Sequence, residues 1–475
     1  MTPAQAPQPS SVQPARRIAY DVLAAVSTDD AYANLLLPTL IARASLSSAD
    51  AGLATELTYG TLRLRGYYDR VIALAAGRDI NQIDAGILDV LRLGAHQLLA
   101  TRVAPHAAVN ESVALARMVG SRSAVGFTNG VLRTISRSTP EEWRERVLAA
   151  ATNADDRLAA DYAHPAWILR AFRQALALEG RADELRELLA ADNQAPKVNL
   201  IALPGLAEVP EGADSNRHSP FGFTLSGGDP DAAIRHENGR LRVQDEGSQL
   251  AALALSRARP AAAGERWLDL CAGPGGKTAL LGAEAVLSGA TVTANELVPA
   301  RAQLVRRAVA PVPGDIAVTE LDGTQIGELQ PEAWDRILVD APCTGLGALR
   351  RRPEARWRKT AKDVADLTVL QQSLLLAAFA ALKPGGVLAY VTCSPHVAET
   401  RGVVSDALRR LGEEAELLDT AAVVQSVAVE PLDLPQADSP ADGTGTTVQL
   451  WPHRHGTDAM FIALIAKSSS TAGTR

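Results

Sequence analysis

The sequence predicts an α/β catalytic domain with a mostly parallel, doubly wound sheet, preceded by an all-α domain and a small α/β connecting region. From residue 266 onward, short β-branched runs alternate with helical stretches, which is typical of a parallel sheet. Residues 15–150 instead carry apolar residues at three- and four-residue spacing, as helices do. We expect a tail, a helical domain, the connecting region, the sheet domain and a second tail at 1–14, 15–140, 141–245, 246–467 and 468–475.

Composition narrows the class of protein. A chain of 475 residues has room for roughly two to four domains. Its three cysteines, Cys271, Cys343 and Cys393, are too few for a disulfide scaffold and suit a reducing cytosol. The first fourteen residues are polar and contain Pro, so they predict a disordered tail and not a signal peptide. The longest apolar run, Leu374–Leu382, is too short to span a membrane, so we expect a cytoplasmic protein.

The net charge of −7 is distributed unevenly along the chain. Residues 411–450 hold eight acidic residues and no Lys or Arg, so the rest of the chain sums to +1. Residues 1–150 carry fifteen Arg against thirteen Asp plus Glu. This balance permits RNA contact without demanding it.

The N-terminal domain is predicted to be a bundle of amphipathic helices, at Arg16–Val26, Leu53–Leu64, Tyr67–Ala75, Ile83–Leu99, Val109–Val119 and Thr128–Ile135. Amphipathic helices occur in every class of protein, so a helical scaffold that binds no ligand is one interpretation of this domain. In the connecting region, the stretch from His164 begins a helix and Ala195–Leu200 enters a strand. We interpret Trp167 as a core residue and not as a base-stacking platform. A further helix, Leu250–Ala258, precedes the sheet.

A glycine-rich turn follows the first strand of the sheet, Trp267–Leu270, and leads into a helix. A phosphate-binding P-loop would need Gly where Cys271 stands, and the dinucleotide glycine spacing does not fit either. The remaining candidate is S-adenosylmethionine, which needs close approach of the backbone; a purely structural turn is the alternative. The predicted cofactor-binding residues of the turn are Cys271, Ala272, Gly273, Pro274, Gly275, Gly276 and Lys277.

Further strands are predicted at 290–296, 316–319, 336–340, 386–392 and 459–465. Glu296 closes the second strand of the sheet, where a carboxylate can accept hydrogen bonds from both ribose hydroxyls. Asp322 follows the third strand and is a candidate acceptor for the adenine amine. Each acidic residue has the alternative of an ordinary surface position.

Two cysteines lie at strand ends. Asp340 and Cys343 follow the fourth strand, and Cys393 follows the fifth, so adjacent parallel strands would bring both thiols to one site. A lone cysteine is usually an inert apolar residue, and we assign Cys271 that role. A disulfide or a metal site is not expected, because the compartment is reducing and no metal-binding spacing surrounds the thiols.

A basic segment, residues 350–359, follows the Cys343 loop. We predict that its cations contact the backbone of an RNA and that the ring of Trp357 stacks on a base. The alternative is a solvated loop with the tryptophan in the core. The predicted RNA-binding residues are Arg350, Arg351, Arg352, Arg356, Trp357, Arg358 and Lys359.

These motifs resemble a known family. Four sequence segments resemble those of the NusB-like RNA-binding domain: Tyr32–Pro38, Glu56–Arg63, Pro105–Glu111 and Asn129–Arg133. The motifs at 270–278, 340–347 and 392–396 resemble those of the RNA cytosine-5 methyltransferases, which have a Rossmann-like class I fold. Over roughly residues 15–467 the chain resembles the RsmB (Sun/Fmu) branch of 16S ribosomal RNA methyltransferases. It departs where Gly273 replaces a common Ala and Thr400 a common Asn.

The resemblance implies transfer of a methyl group from S-adenosylmethionine to carbon 5 of a cytosine in 16S ribosomal RNA. Cys393 would attack carbon 6, Asp340 would bind the base at N3 and the amine, and Cys343 would assist product release. Lys277 could lower the thiolate pKa or contact the cofactor or RNA. We expect a monomer without a metal. A transfer-RNA cytosine-5 methyltransferase and a non-catalytic RNA-binding assembly factor are the alternative functions.

Overall fold

The computed structural model describes residues 12–29, 31–225, 230–435 and 446–469. Most of both predicted tails and part of the acidic region lie outside them. The chain forms two compact units. The helical unit comprises the chain up to Arg170, together with Asp192–Gln194 and Leu349–Arg358, and the sheet unit comprises the remainder.

The helical unit contains the predicted bundle. Its core is apolar and includes the fully buried Leu57, Tyr68, Leu91 and Leu132. Helix starts carry capping side chains, such as Thr139, which forms a reciprocal capping box with Glu142. Among the described residues, its helices up to Asp161 are α1 Pro14–Thr28, α2 Ala33–Ala44, α3 Ser48–Arg63, α4 Arg65–Ala76, α5 Ala85–Ala100, α6 Pro105–Val119, α7 Arg122–Ile135, α8 Pro140–Ala149 and α9 Ala154–Asp161. The start of α10 and the whole of α17, whose ranges are given below, also belong to this unit.

The rest of the chain alternates helices and strands. The helices are α10 Ala166–Ala177, α11 Leu185–Asp192, α12 Pro230–His236, α13 Glu246–Ser256, α14 Gly276–Ser288, α15 Pro299–Val309, α16 Ile326–Leu329, α17 Ala355–Arg358, α18 Ala361–Ala381, α19 Arg401–Leu411, α20 Thr420–Val427 and α21 Pro452–His455. The strands are β1 Asn199–Ala202, β2 Asp214–Ser215, β3 Gly222–Thr224, β4 Leu241–Val243, β5 Arg266–Asp269, β6 Thr291–Asn295, β7 Ala317–Thr319, β8 Trp334–Asp340, β9 Leu382–Thr392, β10 Ala415–Leu417, β11 Val448–Gln449 and β12 Phe461–Lys467.

The main sheet has the strand order β10-β12-β9-β8-β5-β6-β7, and β11 pairs with β12. Strands β5 to β9 are joined by parallel pairings, whereas β12 runs antiparallel to β9 and β10. The loops that follow β5, β6, β8 and β9 therefore emerge at one edge, the carboxyl edge, where ligands bind in such sheets.

The side chains of β8 show how the sheet is covered. Ile337 and Val339 contribute to a core with α18 and α19, whereas Leu338 contributes to a core with α13 and α14. Because consecutive strand residues point to opposite faces, helices cover both faces of the sheet. This is the doubly wound arrangement predicted from the sequence.

The connecting region folds as a second, four-stranded antiparallel sheet of order β2-β3-β1-β4. It belongs to the sheet unit, whereas α8 and α9 belong to the helical unit. The region predicted at 141–245 is thus divided between the two units.

Helix α18 differs from expectation. Its 21 residues are long and apolar enough to cross a membrane, and it is the one such helix among the described residues. The prediction considered only the shorter run at its end. Leu374, Leu375 and Phe379 of α18 are buried in the core beside β8 and β9, so we interpret it as a core helix.

Candidate active site at the carboxyl edge

The turn between β5 and α14 requires glycine at position 275 and is closely packed against side chains at position 273. Gly275 has a φ of +100°, which side chains rarely adopt, and an added Cβ would lie 2.5 Å from the Ala308 side chain. The amide of Gly273 donates to Glu296 Oε2 at 3.0 Å, and a Cβ at Gly273 would clash with that oxygen and with Arg301. The backbone of the turn therefore approaches its neighbours more closely than any side chain would allow.

Asp269, the last residue of β5, lies beneath this turn. Its Oδ2 accepts a hydrogen bond from Thr278 Oγ1 at 2.7 Å, whereas no described residue hydrogen-bonds to its buried Oδ1. Burial raises the pKa of the Asp269 carboxyl to about 7. Sequence reasoning missed this residue, although it ends a strand just as Glu296 does.

Glu296 is buried at the end of β6. Its Oε2 accepts from the Gly273 amide and its Oε1 from the Val298 amide at 3.0 Å. Arg301, also missed from the sequence, lies 3.5 Å from Oε2 and donates to the Gly273 carbonyl at 2.7 Å. A carboxylate offers about four acceptor positions, so Glu296 keeps capacity for ligand hydroxyls.

Asp322 is exposed after β7, where Oδ1 accepts from the Thr324 amide at 2.9 Å and hydroxyl at 2.7 Å. The hydrogen bonds to Thr324 lower the pKa of Asp322 below its usual value. Its predicted contact with adenine stays a prediction.

These residues fit S-adenosylmethionine chemically. The turn allows close approach of a ligand to the backbone, Glu296 offers acceptors for hydroxyls, and the buried Asp269 Oδ1 lacks a described partner. Cys271, in contrast, packs against the core, and burial raises the pKa of its thiol. This agrees with an inert cysteine in the turn.

Lys277, in the first turn of α14, forms an ion pair with Asp340 at the end of β8, with Nζ 2.8 Å from Oδ2. Burial alone would lower the pKa of Lys277, but Asp340 and, more weakly, the Cys393 sulfur raise it above its usual value. Lys277 is therefore a cation at neutral pH, and it holds the Asp340 carboxylate in place.

The two thiols lie together, as predicted from the adjacency of their strands. Cys343 Sγ is 3.4 Å from Cys393 Sγ, and both residues are half-buried. The hydrogen bond to Cys393, burial, and the charges of Cys393 and Glu399 raise the pKa of the Cys343 thiol well above its usual value. The Gly347 amide donates to the Cys393 carbonyl at 2.9 Å, which joins the two loops.

The basic segment after the Cys343 loop belongs to the helical unit as far as Arg358, and Lys359 belongs to the sheet unit. Arg356 is fully buried, and its guanidinium donates to the carbonyls of Arg63, Ala163 and Asp192 and to Asn193 Oδ1 at 2.7–3.3 Å. The predicted RNA contact is wrong for Arg356, because its side chain is fully buried and both of its Nη atoms donate to groups inside the protein.

Its neighbours are also occupied. Trp357 Nε1 donates to the Leu62 carbonyl at 3.2 Å, and Arg358 Nη2 donates to the carbonyls of Val26 and Ala31. These contacts favour the alternative in which the tryptophan packs into the core.

Arg350 is buried as well, with 9% of its surface exposed, so little of its side chain is open to a phosphate contact. Arg352 is exposed, and Arg351 and Lys359 are half-exposed. The predicted RNA contacts of these last three residues stay predictions. Within the described ranges, no group of three or more His, Cys, Asp or Glu side chains is arranged to hold a metal ion.

Comparison with known proteins identifies two family models. Residues 259–466 match the model described as 16S rRNA methyltransferase RsmB/F, and residues 13–137 match the NusB family. The chain is 48% identical to a putative methyltransferase of Mycobacterium tuberculosis, covering 98% of this chain and all of that protein.

It is also 30% identical to a probable ribosomal RNA small subunit methyltransferase B of Bacillus subtilis, covering 95% of this chain and 98% of that protein. The crystal structure of PH0851 shares the fold, with a TM-score of 0.77 and 22% identity over 96% of this chain and 99% of that one.

Proposed function

The chain belongs to the 16S rRNA methyltransferase RsmB/F family, and from this premise we propose that it methylates carbon 5 of a cytosine in 16S ribosomal RNA through a covalent bond to Cys393. One observation carries the proposal: two sulfurs lie 3.4 Å apart at the ends of adjacent strands, beside an ion pair of Lys277 and Asp340. The helical unit matches the NusB family over residues 13–137, which supports an RNA substrate.

Cys393 is the nucleophile in this proposal. Carbon 5 of cytosine is too weak a nucleophile to take a methyl group unaided. Addition of the Cys393 thiolate to carbon 6 forms an S–C6 bond and moves the electron pair of the C5–C6 double bond toward carbon 5. The Lys277 cation favours the thiolate form of Cys393.

Asp340 binds the base. Its carboxylate would accept a hydrogen bond from the exocyclic amine, and would accept one from N3 when N3 is protonated as negative charge develops on the ring. The 2.8 Å contact with Lys277 orients the carboxyl group before the base arrives. A target base inside a helix must first leave its stack to reach this site.

The turn Cys271–Lys277, with Glu296 and Asp322, would hold S-adenosylmethionine. This donor supplies an electrophilic methyl group for carbon 5. Gly273 and Gly275 would admit it close to the backbone, and the Glu296 carboxylate would accept hydrogen bonds from its hydroxyls.

Product release needs two bond changes. Carbon 5 loses its proton to a base, the electron pair of that C–H bond restores the C5–C6 double bond, and the C6–S bond breaks to return the Cys393 thiolate. Cys343, whose sulfur is 3.4 Å from that of Cys393, assists this step as base or proton relay.

The substrate test supplies the full-length chain with methyl-labelled S-adenosylmethionine and, separately, naked 16S ribosomal RNA, assembled small subunits and transfer RNA. We expect label in the ribosomal RNA, and bisulfite sequencing should map it to one cytosine. Preferential labelling of transfer RNA, or label on another base, contradicts the proposal.

The mechanism test uses Cys343→Ala. This variant should retain a covalent protein–RNA adduct on denaturing gels, because release is impaired while attack is not. The matched control is the double variant Cys343→Ala/Cys393→Ala, which should form no adduct. An adduct in the double variant would assign the attack to another residue.

A further inference from the structure

Glu399, which sequence reasoning did not select, joins the two thiol loops. Its side chain is fully buried. Its Oε1 accepts from the Thr344 amide at 2.8 Å, and its Oε2 accepts from the hydroxyls of Thr344 at 2.5 Å and Ser394 at 2.7 Å. Thr344 directly follows Cys343 and Ser394 directly follows Cys393, so one carboxylate binds the residue after each sulfur.

A fourth donor is Gln371 of α18, whose Nε2 lies 3.3 Å from Glu399 Oε1 and 2.8 Å from the Pro342 carbonyl. Burial of a carboxylate is costly unless donors surround it. The four donors to the Glu399 carboxylate are the Thr344 amide, two hydroxyls and the Gln371 amide, and all four are neutral groups.

Different charged groups act on the two sulfurs, Glu399 on one and Lys277 on the other. The Glu399 charge is among the causes that raise the pKa of the Cys343 thiol, after its hydrogen bond to Cys393, burial and the Cys393 charge. On the other side, the Cys393 sulfur is among the groups that raise the pKa of Lys277. Glu399 accepts from both the amide and the hydroxyl of the residue after Cys343 but only from the hydroxyl of the residue after Cys393, so its charge acts mainly on the Cys343 side, whereas the Lys277 cation interacts with Cys393.

We propose that Glu399 is a positioning residue that fixes the two thiol loops against each other and keeps the proton on Cys343 while Cys393 is free, so that Cys393 alone attacks the base. The inference rests on the proposed function only in that the Cys393 thiolate is assigned to attack on cytosine. A second thiolate at this distance would compete for carbon 6, and Glu399 prevents that competition.

Other ionisable groups surround the pair and must be considered in a pH experiment. The Tyr390 hydroxyl on β9 donates to the Glu399 backbone carbonyl at 2.8 Å. Burial is the largest cause that raises the pKa of Tyr390 well above its usual value. Burial lowers the pKa of His396, against the opposing effect of Glu399. With Lys277 and Asp340, these groups are common to every variant below.

The test measures the alkylation rate of each thiol by iodoacetamide, with site-resolved mass spectrometry and no RNA present. In the unmodified protein at pH 7, Cys393 should react at least about tenfold faster than Cys343, because only the thiolate reacts. Glu399→Gln removes the charge and keeps the shape, so it should reduce this ratio by about tenfold or more, which corresponds to a pKa difference of about one unit. An unchanged ratio in folded Glu399→Gln overturns the inference.

The matched control is Thr344→Val, which removes one hydroxyl donor and leaves the carboxylate charge. It should preserve the ratio within about threefold, and a collapse equal to that of Glu399→Gln would overturn the role of the charge. If Glu399→Gln does not fold, the pH profile of the unmodified protein decides. The Cys393 rate should rise at lower pH than the Cys343 rate, and coincident profiles refute the inference.

The result is independent of the proposed function. A thiol preference that depends on Glu399, together with no methylation of any cytosine, would retain this inference and reject the function. Cytosine methylation, together with a ratio of alkylation rates that does not change in Glu399→Gln, would retain the function and reject this inference.

Discussion

The carboxyl edge of the sheet has two sides that are built differently. On the side of β5 and β6, backbone amides of Gly273 and Val298 bind the Glu296 carboxylate, and the turn adopts a conformation that only glycine takes easily. On the side of β8 and β9, the contacts are made by side chains: Cys343 lies against Cys393, and Asp340 pairs with Lys277.

The difference predicts which property each side controls. A main-chain site depends on shape, so an added methyl group should impair ligand binding there. A site made of side chains depends on ionisation and nucleophilicity, so an isosteric change should stop the chemistry and leave binding intact.

The largest expected effect tests this separation directly. Cys393→Ala should reduce methyl transfer by at least about 1,000-fold, because no other group replaces the attacking thiolate. Binding of S-adenosylmethionine, measured by calorimetry, should stay within about twofold, because the sulfur is not part of the turn. Robust turnover by this variant would remove Cys393 from the mechanism.

Asp340→Asn should lower the turnover rate by about 100-fold while RNA affinity changes by less than about threefold, because its hydrogen bonds strengthen as charge develops on the base. Single-turnover rates and filter binding measure the two quantities. Asp335→Asn, at the opposite end of β8, is the control and should change neither. Equal losses of rate and affinity would make Asp340 a binding residue.

On the other side of the edge, Gly275→Ala should weaken S-adenosylmethionine binding by about tenfold or more, since it combines a positive φ with a clash against α15. Alkylation of Cys393 should not change. Gly264→Ala is matched, because Gly264 has a φ of +84° but open space around it. A similar loss of affinity in that control would indicate general destabilisation.

The smallest effect concerns pH. Burial raises the pKa of Asp269 to about 7, whereas the unfolded carboxyl ionises near its usual value of 3.8. Between these values the folded chain holds the extra proton, so stability is greatest below pH 4 with respect to this group and falls as pH rises toward 7.

Asp269→Asn should reduce the fall in apparent melting temperature between pH 4.5 and pH 7 by roughly 3 °C. Scanning calorimetry at both pH values measures it, and the exposed Asp366→Asn should leave the fall unchanged. A full-sized fall in Asp269→Asn would show that another group is responsible.

The sequence predicted the sheet and the meeting of the two sulfurs because both follow from strand order. Once β8 and β9 are parallel neighbours, residues that end them share an edge, and Cys343 and Cys393 do so. The helices of the bundle follow from apolar spacing in the same way. These features depend on local patterns and general topology.

What the sequence did not predict depends on distant partners. A run of arginines has the same local pattern whether it faces solvent or carbonyls, and Arg356 finds its acceptors at Arg63 and Asp192. Glu399 was passed over because its importance lies in the donors around it, at Thr344 and Ser394. No periodicity or motif spacing within one stretch identifies such partners.

The position of the Leu349–Arg358 segment limits how genes of this kind can recombine. Ten residues that follow Cys343 in the sequence belong to the same compact unit as the N-terminal part of the chain. Recombination that exchanged only the front of the gene would pair those ten residues with an unrelated bundle and leave the Arg356 guanidinium facing the wrong carbonyls. Selection should therefore have kept both parts of this gene together, and chimeras need compatible sequence at two separate places in the reading frame.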